Sequence, residues 1–398
     1  MKLKLDFPPN SSILNSALYE GYLFVSAKCK DAEGVELEWE CVKKLLKEVG
    51  ESKGWKEVRF YLVGNDVKAT VKKLCGSDEI TDIRGLTLCL SGKPVKSMEV
   101  GQRISESKEL LVGDASFLNS PRRRGRKGKG EGTAESVVGE GEGGRGGGSG
   151  SGVGGGYAFQ IMKVDRYQGI SVLESNLVRE QVTVYADLAA VDLFFLGVAS
   201  AYVTSVGTEY YLLFFSEETL PQAMKSPRMW LSIKDSLANS LSNVIQRAGG
   251  VQDEILTLSS ILNYAAVQEM WKWNVMEANL RLVKVVGEHN TYKVYEEIPI
   301  QVFSNREIYS DEKFLVRLQN LVSFLLTPAS AYLRGRDTLG DGYHAYQALR
   351  YLYAYVVTGN GEYLAKALRE VHEAHRANER RGYLGWVTSR LITRSSRT

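Results

Sequence analysis

The chain has little of what marks a familiar enzyme. Among 398 residues there are 4 cysteines and 4 histidines. Cys29, Cys41, Cys75 and Cys89 form no Cys-x-x-Cys pair and have no histidine nearby. The expectation is therefore neither a zinc site nor a disulfide framework, but the reduced cysteines of a cytoplasmic protein. No Gly-x-Ser-x-Gly elbow and no Gly-x-x-x-x-Gly-Lys-Ser/Thr loop occurs, so the sequence makes no case for a serine hydrolase or an ATPase. Gly141 to Gly146 matches Gly-x-Gly-x-x-Gly, but inside a glycine run with neither a strand before it nor a helix after it, so it carries no dinucleotide reading. Long apolar runs are missing too. The most apolar stretch, 188–203, contains Asp192 and falls short of the ~20 residues of a bilayer span, so a buried helix and no membrane are expected. The opening MKLKLDFPP lacks the apolar core of a leader.

Glycine is abundant in one place. Of 39 glycines, 16 lie between Ser120 and Gly156, behind the basic run Arg122, Arg123, Arg124, Arg126, Lys127 and Lys129. With almost no apolar side chain to offset ordering entropy, 119–156 reads as a basic, glycine-rich linker. It also carries the charge asymmetry. Residues 1–118 hold 18 basic and 18 acidic side chains, 119–156 hold 7 and 4, and 364–398 hold 8 and 3, on a chain of net charge only +3. Two local basic segments on a near-neutral body point to a polyanion partner, although charge runs also serve solubility.

On either side of the linker the periodicity indicates an α+β chain. Residues 1–118 form a small α/β domain: helix 38–49, strand 57–63, a short helix from Asp66 to Cys75, strand 86–90 and helix 106–118. A mixed domain at 157–310 has strands 157–164, 181–185 and 209–215, helices 187–203, 229–248 and 253–271, and an antiparallel pair within 274–300 turning near 287–290. A mainly helical C-terminal bundle over 311–398 has helices 311–326, 342–357 and 362–378 and a last one around Trp386.

Two constellations carry chemistry. His372 and His375, one helical turn apart, could bind a metal with His344 and Asp341, which would make the chain a cryptic metal-dependent enzyme. His375 also falls on the apolar stripe of Leu364, Leu368 and Val371, where a core-edge histidine explains it equally. The second is a mixture of tyrosine and arginine. Eight of 21 tyrosines lie between Tyr332 and Tyr383, interleaved with Arg334, Arg336 and Arg350, and followed by Arg369, Arg376, Arg380 and Arg381. Arginine forks pair with phosphates and tyrosine rings stack on bases, so these arginines, with the linker cluster, are the candidate nucleic-acid contacts. Tyrosines at helical spacing serve equally as boundary packing.

The runs QVTVYADLAAVDLFFLGVASAYV at 181–203 and EYYLLFF at 209–215 resemble the large subunits of archaeal type I-A CRISPR interference (Cascade) complexes. Those subunits pair an α/β N-terminal part with a helical C-terminal part; many carry a cysteine zinc module where this chain has its glycine run. The resemblance implies a non-catalytic, cofactor-free subunit that binds target DNA and guide RNA, recognises the motif beside the target and holds the opened strand. Its partners would be the backbone and small subunits and a separate helicase and nuclease. The alternative to it, besides an enzyme, is a protein–protein scaffold that never touches nucleic acid.

Overall fold

A strand written EYYLLFF has no polar face and demands cover on both sides. The structure, a computed structural model, describes residues 13–29, 39–52, 71–72, 74–76, 79–80, 82–93, 188–248, 253–288, 291–304 and 307–383, and it places that strand inside a sheet covered on both faces. Strands β1 (Tyr202–Val206), β2 (Glu209–Phe215), β3 (Glu277–Glu288) and β4 (Thr291–Phe303) form an antiparallel meander in chain order. The expected hairpin closes with Glu288 opposite Thr291.

Side-chain alternation sends β2 into two cores. Tyr211, Leu213 and Phe215 enter one; Tyr210, Leu212 and Phe214 enter the other. On β3, Leu280 and Leu282 face the first core and Val283 and Val285 the second. β4 breaks the simple alternation, since Val294 and Ile298 are both even-numbered yet lie on opposite faces. Tyr295 is the reason. Lys284 pairs with Glu296 and Val285 with Val294, so Tyr295 is an extra residue that reverses the parity.

The first core is roofed by α5 (Leu220–Lys225), α6 (Pro227–Ala248), α7 (Asp253–Ile261), α8 (Tyr264–Lys272), α9 (Glu312–Leu333), α10 (Asp341–Thr358) and α11 (Gly361–Ala377). The helix expected over 253–271 is two helices, because the Asn263 side chain accepts from the Ala266 amide at 3.1 Å and caps α8. The second core is covered by α1 (Ile13–Cys29), α2 (Trp39–Glu51), α3 (Ile83–Ser91) and α4 (Leu188–Ala201). α1 reaches both cores and packs on α4.

Three sequence expectations change here. α1 was assigned no element: it is apolar nearly all round, which leaves no periodic stripe to read. The strand expected at 86–90 is α3. Asp82 caps it by accepting from the Gly85 amide at 2.7 Å, and Ile83, Leu86 and Leu90 are buried at helical spacing. LTLCL alternates over five residues, but the longer helical period decides. Third, the four cysteines are bonded as Cys29–Cys41 and Cys75–Cys89. The first joins the end of α1 to the start of α2, and the second ties α3 to the short segment before it. Spacing could not reveal them, because each pair is made by helix packing. Strands 57–63, 157–164 and 181–185, helix 106–118, the linker 119–156 and the helix around Trp386 lie outside the described residues.

Closing loops of this length stabilises a fold by roughly 3 kcal/mol each. Thiol titration of the denatured, unreduced protein is expected to find no free cysteine, and reduction is expected to lower the melting temperature. Four titratable thiols in protein purified without reductant would contradict both bonds.

Candidate nucleic-acid interface

Short connections make α9, α10 and α11 antiparallel neighbours. The C-terminal end of α9, the N-terminal end of α10 and the C-terminal end of α11 therefore meet at one end of a three-helix bundle. Contacts confirm the meeting. Tyr332 on α9 packs edge-on against Tyr343 at 5.5 Å and stacks on Tyr346 at 5.8 Å, both on α10. His344 Nδ1 lies 2.8 Å from Glu370 Oε2 on α11. Asn378, just past α11, donates to Asp341 Oδ2 at 3.1 Å.

The acids at this end are mostly engaged. Asp337 accepts from the Gly340 amide at 3.0 Å and the Tyr343 amide at 3.2 Å, which organises the start of α10. Asp341 is a buried hub. Its Oδ2 accepts from the Tyr383 hydroxyl at 2.7 Å and pairs with Arg381 at 3.3 Å. Burial first, and then that hydrogen bond, push the Tyr383 hydroxyl well above its ordinary value, so it stays a donor. Glu370 is engaged by His344 and Glu373 by Arg376. Glu379, exposed beside Arg380, has no partner among the described residues.

The candidate arginines consequently divide. Arg381 is turned inward to Asp341, and Arg376 pairs with Glu373 on its own helix. Arg334, Arg336, Arg369 and Arg380 are exposed, and their side chains have no partner among the described residues. Arg350 is exposed and lies over the Tyr346 ring at 5.9 Å. Arg334, Arg336 and Arg380 sit at the bundle end, Arg350 lies one turn past Tyr346 on α10, and Arg369 lies farther along α11. Of the eight tyrosines, Tyr332 and Tyr343 are 37% and 44% exposed, whereas Tyr346, Tyr351, Tyr353, Tyr355 and Tyr383 pack on the core. Arg122, Arg123, Arg124, Arg126, Lys127 and Lys129 lie outside the described residues.

The metal reading fails on geometry. His344 takes a carboxylate partner rather than His372 or His375, and no group of three or more His, Cys, Asp or Glu side chains among the described residues is placed to hold a metal ion. The sequence reading missed Asp337 and Glu370, the acids that organise this end. Asp337 was visible in principle: an Asp four residues before a tyrosine-rich helix, among glycines, is a capping signal.

Along 94% of its length the chain is similar to an uncharacterized protein of Archaeoglobus fulgidus, 27% identical over 394 residues and covering 93% of that protein. No family model matches the chain, and no solved structure matches it. By its architecture, an antiparallel sheet between two helical layers with a helical C-terminal region, the chain belongs to the α+β class.

Proposed function

We propose that the chain is a non-catalytic nucleic-acid-binding large subunit of an RNA-guided CRISPR surveillance complex, and that the tyrosine–arginine end of its C-terminal bundle lies against the strand. One observation carries the binding reading. Tyr332 and Tyr343, both exposed, pack with the half-buried Tyr346 beside Arg334, Arg336 and Arg350, while most of the neighbouring acids are engaged within the protein. Rings with free faces stack on bases without regard to sequence, and arginines beside them take the phosphates. The assembly is proposed from the resemblance of 181–215 to the type I-A large subunits. Exposed Trp273 and Met276, at 49% and 55%, offer apolar surface for the backbone and small subunits.

A cytoplasmic setting belongs to the same proposal. Among the described residues, no helix is long and apolar enough to cross a membrane. Disulfides are uncommon in a reducing cytosol but are kept in intracellular proteins of hyperthermophilic archaea.

The test is oligonucleotide binding by fluorescence anisotropy. Replacing Arg334, Arg336 and Arg350 together by alanine is expected to weaken single-strand affinity at least tenfold at low salt. Tyr343→Ala alone removes a stacking platform worth about 1–3 kcal/mol. Arg381→Ala is expected to act on stability instead, through Asp341. Unchanged affinity in both the triple variant and Tyr343→Ala removes this end of the bundle as the interface.

A further inference from the structure

A cleft of about 400 Å³ opens between α6, the α7–α8 junction and α9. Its floor is apolar, from Val244, Leu262, Val322 and Leu326. Its walls are made of short amides and hydroxyls. Three amides are spent in building it: Asn263 donates to the Ser236 carbonyl at 2.8 Å, Asn243 to the Asn239 carbonyl at 3.0 Å, and Gln319 to the Leu262 carbonyl. The side chains of Asn239 and Ser240 on one wall, and of Asn320 and Ser323 on the other, have no partner among the described residues. Arg247 is the one charged residue of the lining, and it too has no partner among the described residues. The outward face of α6 between Asp235 and Arg247 carries no charge at all, only Ser236, Asn239, Ser240, Ser242, Asn243 and Gln246. A face merely kept in water would ordinarily carry lysine and glutamate.

The geometry points to a binding cleft for one nucleotide unit, with its base on the apolar floor between the two amide walls and one phosphate on Arg247. With Arg247 its one charged residue and no carboxylate, the lining carries no negative charge to favour a metal ion or an ammonium group. Asparagine and serine match the donor and acceptor edges of a base, and a guanidinium matches a phosphate. The volume falls in the range of small-ligand sites. This inference does not rest on the bundle-end reading, because Arg334, Arg336 and Arg350 take no part in it.

Calorimetric titration of the full chain with AMP, GMP, CMP and UMP, with adenosine, with inorganic phosphate and with a trinucleotide tests it. At least one monophosphate is expected to bind, and inorganic phosphate alone is not. The double variant Asn239→Ala, Asn320→Ala is expected to weaken binding at least tenfold. Arg247→Gln should weaken the monophosphate at least tenfold and leave the nucleoside unchanged. All three residues are exposed, so the variants should melt like the parent. If only the trinucleotide binds, and the same variants abolish it, the unit is read within a strand rather than free. Silence towards all nucleotides at millimolar concentration, or binding indifferent to the double variant, overturns the assignment. The Arg334, Arg336, Arg350 triple variant should leave this binding intact, so failure of either site is seen separately.

Discussion

Gly197→Ala is expected to destabilise the protein by at least about 3 kcal/mol, well beyond an ordinary helix-surface change. In α4 a Cβ at this position would stand 1.7 Å from the Ala17 carbonyl oxygen and 2.8 Å from the Gly21 amide nitrogen of α1. The reverse holds at Gly21, where a Cβ would stand 1.9 Å from the Leu193 carbonyl oxygen. The two helices therefore cross backbone on backbone, through Ala17-x-x-x-Gly21 and Gly197-x-x-x-Ala201. What a methyl group would meet is main chain, which cannot rotate away, so α1 must shift and both cores must loosen. Gly361→Ala is the control. Nothing lies within 4 Å of its added Cβ and its φ is not in the left-handed region, so the change is expected to be neutral or stabilising by up to about 1 kcal/mol. Denaturant melts of the two variants read the difference. Equal midpoints would mean that α1 and α4 do not touch as described.

The second large effect is electrostatic. Glu20 on α1 and Lys234 on α6 are 2% and 0% exposed and form a buried ion pair. Ser200 at the end of α4 completes it: its hydroxyl donates to Glu20 at 2.7 Å, and its carbonyl accepts from Lys234 at 3.0 Å. Three helices are pinned at one point, each with its polar atoms satisfied. Removing one partner leaves an unpaired charge out of water, which costs about 3–5 kcal/mol. Glu20→Met or Lys234→Met alone is expected to lose that much. The double replacement should recover most of it, because two apolar chains of similar volume leave no charge stranded. If the double variant is as unstable as the sum of the singles, the pair is not coupled as the geometry implies. A second such pair, Lys43 with Asp192 at 2.5 Å, joins α2 to α4, and Lys43 also donates to the Leu90 carbonyl of α3 at 3.0 Å.

The sheet was legible wherever local pattern suffices. EYYLLFF announced a strand covered twice, and the glycine and asparagine near 287–290 marked the hairpin. The bulge at Tyr295 was not legible, because no residue type requires it there. α1 was hidden by its own uniform apolarity, and α3 by a five-residue run that fits either period. The disulfides were missed for a different reason. Cys29 meets Cys41, and Cys75 meets Cys89, only after helices have packed, and no spacing rule encodes that.

The candidate site divides along the same line. The richness in tyrosine and arginine after Tyr332 was plain in the sequence. Which arginines remain available was not, since Arg381 is claimed by Asp341, forty residues earlier in the chain. The described residues of 181–215, the segment on which the proposed assembly rests, supply a large share of the second core: Val191, Leu193, Phe194, Phe195 and Leu196 are all buried. The resemblance is thus carried by residues that build the fold, while binding has to be judged at the bundle end.

The salt dependence of single-strand affinity reads that end. Phosphate contacts by Arg334, Arg336 and Arg350 predict a log–log slope of about −2 or steeper, flattening by roughly 0.7 for each arginine replaced by alanine. A slope near zero, or no binding at the lowest salt, would contradict the proposal that this protein holds a nucleic-acid strand.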